Sequence, residues 1–258
     1  MTEHGFHSVD KLGPALPPGN QVAGVSRGRY PPRVLEPEVM DEADEAVAYM
    51  DAGAQAHLAR LDAEWLALVL TAGPRGAARV VDVGTGGGQI PLALARRRPA
   101  WRIWAVDRAL AMLAAGNADA AAAVSLARRE ARPHRVGRLQ ADGRALPFPD
   151  GSVDLVVSNS LLHHLADPSP VLDELARITA PGGRVLLRDL RRPPRWRFRA
   201  HVGWHGRSYR GTMRALYERS VAAAFTPDEL TLILRHTALA GAAVRAAGPY
   251  LLVERRGD

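Results

Sequence analysis

The stretch that best predicts chemistry in this 258-residue chain is VVDVGTGGGQI, residues 80–90. An apolar strand pattern runs there into a glycine-rich loop, and glycines let the backbone turn sharply and let a ligand approach it closely. A dinucleotide-binding G-x-G-x-x-G that started at Gly84 would need glycine at position 89, where the chain has Gln89. Asp82, two residues before the loop, would repel a pyrophosphate but suits a ligand with an ammonium and a sulfonium. The spacing therefore favours a small cationic ligand over a dinucleotide.

Polar side chains also end the later strand patterns. Asp107 ends WRIWAVD, 23 positions after Gly84, and its two carboxylate oxygens match a cis-diol. Asp142-Gly143 and Asn159 follow two further strand patterns. Taken alone, Asp107 equally suits a cap for the next helix, and Asp142-Gly143 an ordinary turn. Because the carboxyl ends of parallel strands meet at one edge of a sheet, we expect these residues to share one site.

Strand and helix patterns alternate along most of the chain, which predicts a doubly wound, mostly parallel α/β sheet. The predicted strands are 79–83, 101–106, 136–140, 153–158, 184–190, 242–246 and 250–254. The predicted helices are 41–71, 90–98, 109–126, one that begins at Asp167-Pro168 and one that begins at Thr226. The division that follows is an arm (1–40), a helical cap (41–74), a ligand-binding core (75–190), a basic aromatic insertion (191–225), and a final helix with two strands (226–258).

Taken in order, these motifs resemble those of the class I S-adenosylmethionine (SAM)-dependent methyltransferases. The resemblance is carried by VVDVGTGGGQI, WRIWAVD, ADG at 141–143, LPFPDGSVDLVVSNSLLHHLADP at 146–168 and APGGRVLLRD at 180–189. It implies a Rossmann-like sheet of seven strands in the order 3-2-1-4-5-7-6, with the last strand antiparallel. It also implies an enzyme that uses SAM and releases S-adenosylhomocysteine.

The resemblance further implies which residues bind the cofactor. The glycine loop would contact the methionine and ribose part of SAM, the acid that ends strand two the ribose hydroxyls, and the Asp-Gly pair the adenine amino group. Asn159 would face the methionine end. The cofactor-binding residues expected in this way are Asp82, Gly84, Thr85, Gly86, Gly88, Asp107, Arg108, Asp142, Gly143 and Asn159.

The candidates for catalysis are His163, His164 and Asp189. In small-molecule O- and N-methyltransferases similar to this pattern, a histidine after strand four takes the acceptor's proton, and an ordinary pKa near ~6.5 suits such a base. The alternative is that a histidine only packs at a helix start. Asp189 would orient a histidine or the acceptor, or it would pair with Arg191 or Arg192. Methyl transfer to a good nucleophile needs mainly in-line positioning, so a base is not indispensable.

The segment 191–214 contains eight arginines and no acid, whereas the whole chain has a formal net charge of +7. Aromatic residues alternate with these arginines. One interpretation is a lid over the acceptor, formed by Trp196, Arg199, Trp204 and Tyr209. A second is a nucleic-acid surface that combines stacking with phosphate contacts, and a third is a solvated face whose aromatics only pack on the domain.

Composition excludes several classes of site. The chain contains no cysteine, so it has no disulfide, thiolate zinc site or cysteine nucleophile. No H-x-E or H-E-x-x-H spacing occurs, and we therefore expect no metal. No run of 18 apolar residues and no signal pattern appears, so we expect a cytoplasmic protein without a membrane partner.

The leading prediction is SAM-dependent methylation of a small molecule, acidic or aromatic, at O, N or C. The alternatives are an RNA methyltransferase that uses the basic segment and a non-catalytic SAM-binding regulatory protein. An NAD-dependent oxidoreductase is disfavoured by the glycine spacing.

Overall fold

The computed structural model describes residues 28–36, 52–116 and 136–256, except for the side chains of 52–61 and 115. Its helices are α1 (Ala52–Ala72), α2 (Gln89–Arg97), α3 (Leu110–Ala115), α4 (Ser169–Ile178), α5 (Arg195–His205), α6 (Gly211–Ala223) and α7 (Pro227–Arg235). Its strands are β1 (Ala78–Val83), β2 (Trp101–Asp107), β3 (Val136–Gln140), β4 (Val153–Asn159), β5 (Thr179–Leu190), β6 (Ala243–Ala247) and β7 (Tyr250–Arg256). Most of the predicted arm, and the predicted helical stretches 41–51 and 117–126, lie outside the described residues.

The seven strands form one sheet in the order β3-β2-β1-β4-β5-β7-β6, which confirms the predicted topology. The pairs from β3 to β5 are parallel, and β7 is antiparallel to both β5 and β6. Since β1, β2 and β4 are parallel and adjacent, the loops that follow them leave the sheet at one edge. This edge is where open α/β sheets bind ligands.

The central strands of the sheet are buried on both faces, as their near-continuous apolar sequences predict. On one face, α1 and α2 pack on β1 and β2 through residues such as Trp65, Leu94 and Ile103. On the other face, α4 and α7 cover the centre of the sheet through residues such as Leu172 and Ile233. Packing from both sides holds the strand ends rigidly, and the site is built on those ends.

Two elements show how local sequence sets the boundaries. Thr226 begins α7 with a capping box: its hydroxyl accepts from the Glu229 amide at 3.3 Å, and the Glu229 carboxylate accepts from the Thr226 amide at 2.9 Å. This confirms the predicted helix start.

The prediction for β5 was wrong at its beginning, because the strand starts at Thr179 rather than at residue 184. The pairing shifts in register between Val153 and Leu155, which accommodates the intervening Pro-Gly-Gly.

None of the described helices is long and apolar enough to cross a membrane.

Candidate active site

A cavity of about 230 Å³ opens at the carboxyl edge of β1, β2 and β4. Most of the predicted site residues line it, namely Asp82, Gly84, Thr85, Gly86, Asp107, Arg108, Asp142, Gly143, Asn159, His163, His164 and Tyr209. The predicted residues that do not line it are Gly88, Asp189, Trp196, Arg199 and Trp204. The sheet therefore brings the cofactor motifs and the histidines together, as expected, but leaves part of the predicted lid outside.

The glycine loop after β1 needs glycine for two reasons. Gly84 and Gly86 have φ of 73° and 56°, which side chains other than glycine rarely adopt. A Cβ on Gly84 would also lie 2.9 Å from Cδ1 of Leu161, in the loop after β4. Gly88 has φ of 80° at the start of α2, so its structural role is to form the turn.

Asp82 is buried beneath this loop and is only partly satisfied. Its Oδ2 accepts from the Thr85 hydroxyl at 2.6 Å, whereas Oδ1 has no hydrogen-bond partner in the described part of the chain. The pKa of Asp82 is raised to about 7, mainly by burial and to a lesser degree by the neighbouring Asp107 and Asp62, while the Thr85 bond opposes this shift. A cation in the cavity would stabilise the ionised carboxylate and satisfy the free oxygen.

Asp107 is fixed by two backbone amides. Its Oδ2 accepts from Gly86 N at 2.7 Å and its Oδ1 from Ala109 N at 2.9 Å. Ala109 precedes the first turn of α3, so Asp107 fixes the loop that leads into this helix and does not cap the helix itself. Each carboxylate oxygen keeps a second lone pair for a ligand. Burial raises the pKa of Asp107, although the backbone hydrogen bonds oppose this shift.

The other predicted cofactor residues contact arginines. Asp142 accepts from the Arg144 amide at 2.9 Å, so the Asp-Gly pair does form a turn, yet its carboxylate also lies 3.7 Å from Nε of Arg108. Asn159 Oδ1 accepts from Nε of Arg188 at 2.6 Å. These bonds orient both side chains at the rim of the cavity.

His163 is buried after β4 and is bonded to Asp189 at the end of β5. Its Nδ1 lies 2.5 Å from Oδ1 of Asp189, and the Leu162 amide donates to the other oxygen at 2.5 Å. The geometry thus favours the histidine-orienting role for Asp189, because Arg192 instead pairs with Glu229. Burial lowers the pKa of His163, but Asp189, with a smaller contribution from Glu36, outweighs it and raises that pKa above its ordinary value.

Sequence reasoning missed Glu36. Its Oε1 lies 3.5 Å from Nε2 of His163 and 3.0 Å from Nδ1 of His164. Arg33 holds this segment in place by donating to the carbonyls of His163 at 3.0 Å and Leu165 at 2.7 Å. No local spacing signals this arrangement, since the segment belongs to a proline-rich stretch predicted to be an arm.

The same three side chains bear on the expectation that no metal is bound. The ligand atoms of Glu36, His163 and His164 lie within 4.8 Å of one another. Motif spacing says nothing about such a group, because tertiary structure assembles it. The absence of a metal remains a prediction.

The wall opposite the sheet comes from α6 and the loop before it. Tyr209, Met213, Leu216 and Tyr217 line the cavity there. The predicted lid is therefore corrected in its residues: Trp196 and Trp204 are 73% and 66% exposed, and Arg199 is also exposed. The reason is the phase of α5, which buries Val202 and packs Phe198 on the domain, so that both tryptophans lie on its outer face.

Arg138 on β3, also missed, holds the glycine loop from behind. Its guanidinium donates to the carbonyls of Leu113 at 2.9 Å, Gly87 at 3.2 Å and Gly116 at 2.9 Å. A Cβ on Gly116 would lie 1.9 Å from the Gly87 carbonyl oxygen, so this glycine is required by packing. The nearest sequence signal was only that an isolated glycine interrupts an alanine-rich helix pattern.

Comparison with known proteins agrees with this geometry. A family model described as a methyltransferase domain matches residues 81–187. The chain is 38% identical over 120 residues to a demethylmenaquinone methyltransferase of Thermus thermophilus, covering 46% of this chain and 50% of that protein. It is 30% identical over 200 residues to a demethylmenaquinone methyltransferase of Roseiflexus castenholzii, covering 73% of this chain and 79% of that protein.

Solved structures share the fold. A SAM-dependent methyltransferase from Aquifex aeolicus aligns with a TM-score of 0.56 at 20% identity, covering 83% of this chain and 98% of that one. The plantazolicin methyltransferase BpumL, solved with S-adenosylhomocysteine, aligns with a TM-score of 0.57 at 11% identity, covering 84% and 95%. The match to the Thermus protein spans about half of that relative's length, whereas the Roseiflexus match spans most of it. The chain belongs to the class I SAM-dependent methyltransferase family, whose Rossmann-like fold and SAM cofactor it shares.

Proposed function

We propose that this protein transfers the methyl group of SAM to a small aromatic acceptor that carries a ring hydroxyl, at the carbon next to that hydroxyl. The observation that carries the proposal is the buried His163–Asp189 pair, which adjoins the same cavity as Asp82 and Asp107. The relatives named as demethylmenaquinone methyltransferases, and one from Dinoroseobacter shibae named as a ubiquinone/menaquinone biosynthesis C-methyltransferase, support an acceptor of the quinol type.

The cavity's charges fit SAM. The unpartnered oxygen of Asp82 suits the ammonium of the methionine part, and the fixed carboxylate of Asp107 suits the ribose hydroxyls. Asp142 and Gly143 would bind the adenine. The same acidic lining disfavours the pyrophosphate of a dinucleotide. When bound, SAM supplies an electrophilic methyl group on a sulfonium.

The proposed base is His163. Because Nδ1 donates to Asp189, the basic nitrogen is Nε2. A ring hydroxyl that gives its proton to Nε2 becomes an oxyanion, which makes the adjacent ring carbon more nucleophilic. That carbon would take the methyl group as the methyl–sulfur bond breaks and would then lose its own proton to solvent, which restores the aromatic ring. Asp189 on one side and Glu36 on the other stabilise the resulting imidazolium. His164, which contacts the same Glu36 oxygen, is assigned to positioning that carboxylate.

The opposite wall suits an aromatic ring. Met213, Leu216 and Tyr217 are supplied by α6 and exclude water from the reacting groups. The RNA alternative depends on the basic segment 191–214, and since its Trp196 and Arg199 do not line the cavity, the cavity itself adds no support for an RNA acceptor. A non-catalytic SAM-binding protein would not require the oriented His163–Asp189 pair.

The test is a labelled-methyl assay of the purified protein against a reduced dihydroxynaphthalene, a monophenol, an alkylamine, a carboxylic acid and bulk tRNA. We expect label on a ring carbon of the dihydroxynaphthalene. His163→Gln and Asp189→Asn should each lower turnover by ~10²–10⁴ while SAM affinity stays near that of the wild type. His236→Gln, which changes an exposed histidine at the end of α7, is the matched control.

Label found only in tRNA, or wild-type turnover in both variants, would contradict the proposal. A chelator provides a further check on Glu36, His163 and His164. Turnover that is lost with chelator and restored by a divalent cation would assign these side chains to a metal and would replace the base mechanism.

A further inference from the structure

The outer face of α5 combines exposed aromatic and cationic side chains. Trp196 and Trp204 are 73% and 66% exposed, and Ala200 and Gly203, which lie between them on the same face, are exposed as well. The small residues leave both indoles protruding from the helix. Exposed tryptophans that neither pack on the core nor line the cavity are unaccounted for by the proposed function.

This face is strongly and uniformly basic. No acid occurs between residues 190 and 217. The Cζ atom of Arg197 lies 4.3 Å from the ring centroid of Trp196, and that of Arg207 lies 4.6 Å from the ring centroid of Trp204. Each indole therefore carries its own cation at the protein surface.

We propose that the outer face of α5 binds the surface of an anionic lipid bilayer. Indole rings partition to the level of lipid headgroups, and arginines are attracted to anionic headgroups. A short helix with an aromatic and basic outer face lies in the plane of such an interface. The expectation of no membrane partner was based on the lack of a spanning segment, which a surface-bound helix does not require.

The geometry fits a bilayer better than a nucleic acid. Non-specific binding of single strands uses a groove that follows the backbone and open aromatic faces for stacking bases. Here the two indoles protrude from one convex helix, and an arginine already covers one face of each ring. A flat, anionic surface matches this shape and charge.

The position of α5 relates this surface to the cavity. Tyr209, in the loop that joins α5 to α6, is buried and lines the cavity, and α6 forms the cavity wall. A bilayer on the outer face of α5 would lie beside the acceptor wall. The inference does not depend on which acceptor is used, since α5 provides none of the proposed cofactor or base residues.

The test is co-sedimentation with vesicles of phosphatidylcholine alone or with about one third phosphatidylglycerol, without SAM or acceptor. We expect binding only to the anionic vesicles, weakened by high salt, with a blue shift of tryptophan fluorescence. Neutralising Arg197, Arg199 and Arg207 to Gln should reduce partitioning roughly 100-fold. Trp196→Ser with Trp204→Ser should abolish the blue shift.

The matched control neutralises Arg96, Arg97 and Arg102, which are exposed elsewhere, and should retain vesicle binding apart from a small general loss of charge. Calorimetric SAM affinity should be unchanged in every variant, which shows that each is folded. Equal binding of the wild type to neutral and anionic vesicles, or equal losses in the two arginine variants, would overturn the proposal. Binding to a single-stranded oligonucleotide at physiological salt, without vesicle binding at that salt, would also overturn the proposal. The outer face of α5 would then be a nucleic-acid surface.

Discussion

Asp82→Asn tests whether the cavity binds a cation, because the buried carboxylate has one oxygen, Oδ1, that no described group of the chain satisfies. The pKa of Asp82 rises from its ordinary 3.8 to about 7 in the folded protein. At a pH between these two values, Asp82 is protonated in the folded protein and ionised in the unfolded chain. The unfolding free energy therefore falls as pH increases, by about 1.4 kcal/mol per pH unit, or roughly 3 kcal/mol between pH 5 and pH 7.

The variant lacks this titration. The unfolding free energy of Asp82→Asn minus that of the wild type, measured by urea denaturation at pH 5, 6, 7 and 8, should increase by up to about 3 kcal/mol as pH rises to 7. Above pH 7 this difference should stay constant. Asp228→Asn, which changes an exposed carboxylate at the start of α7, is the control and should follow the wild type. Parallel curves for wild type and Asp82→Asn would refute the reasoning.

SAM affinity should change in the opposite sense. In the proposed binding mode ionised Asp82 binds the ligand's ammonium, so wild-type affinity should rise about tenfold per pH unit up to pH 7 and then level off. Asp82→Asn should show no such slope and should bind about 10- to 100-fold more weakly at pH 8, the loss of one charge-assisted hydrogen bond. Calorimetry across this range measures both effects, and a pH-independent wild-type affinity would show that Asp82 does not contact the cation.

Three further predictions concern other parts of the site and the fold. Asp107→Ala should weaken SAM binding by about 1.5–3 kcal/mol in calorimetry, and NAD should not bind the wild type; unchanged SAM affinity would mean that the ribose anchor is elsewhere. Gly84→Ala should destabilise the loop by about 1–3 kcal/mol in urea denaturation, because φ is positive and the new Cβ meets Leu161, and wild-type stability would contradict the loop geometry. Arg192→Met should lower the unfolding free energy by about 3–5 kcal/mol, because it leaves the buried charge of Glu229 without its partner; a loss below about 1 kcal/mol would show that the pair is not needed.

Much of the cofactor half of the site could be predicted from sequence because its signals are local. Glycines after an apolar strand, an acid two residues before them and an acid at the end of the next strand each lie within a few residues of a strand end. Parallel strands then bring their carboxyl ends to one edge, so Asp82, Asp107 and Asn159 meet without further information. The order of the seven strands followed from the resemblance rather than from periodicity.

The predicted boundaries that were wrong lie where the hydrophobic pattern and the strand pairing disagree. The predicted strand 184–190 begins only after Pro-Gly-Gly at 181–183, yet β5 begins at Thr179 because the sheet accommodates the extra residues as an irregularity beside β4. Similarly, arginines that alternate with aromatics from residue 195 led to the lid interpretation, in which the aromatics face a ligand. Only the packing of Val202 and Phe198 decided that Trp196 and Trp204 face outward.

The sequence by itself determined the class of fold, predicted a cationic ligand beside the loop after β1 and located the candidate histidines. Tertiary structure alone decided which partner Asp189 takes, how far the pKa of Asp82 rises, and that Glu36 reaches His163 and His164. The physical reason is distance along the chain. Burial and ion pairing depend on which remote segments pack together, and no spacing within a single segment encodes that.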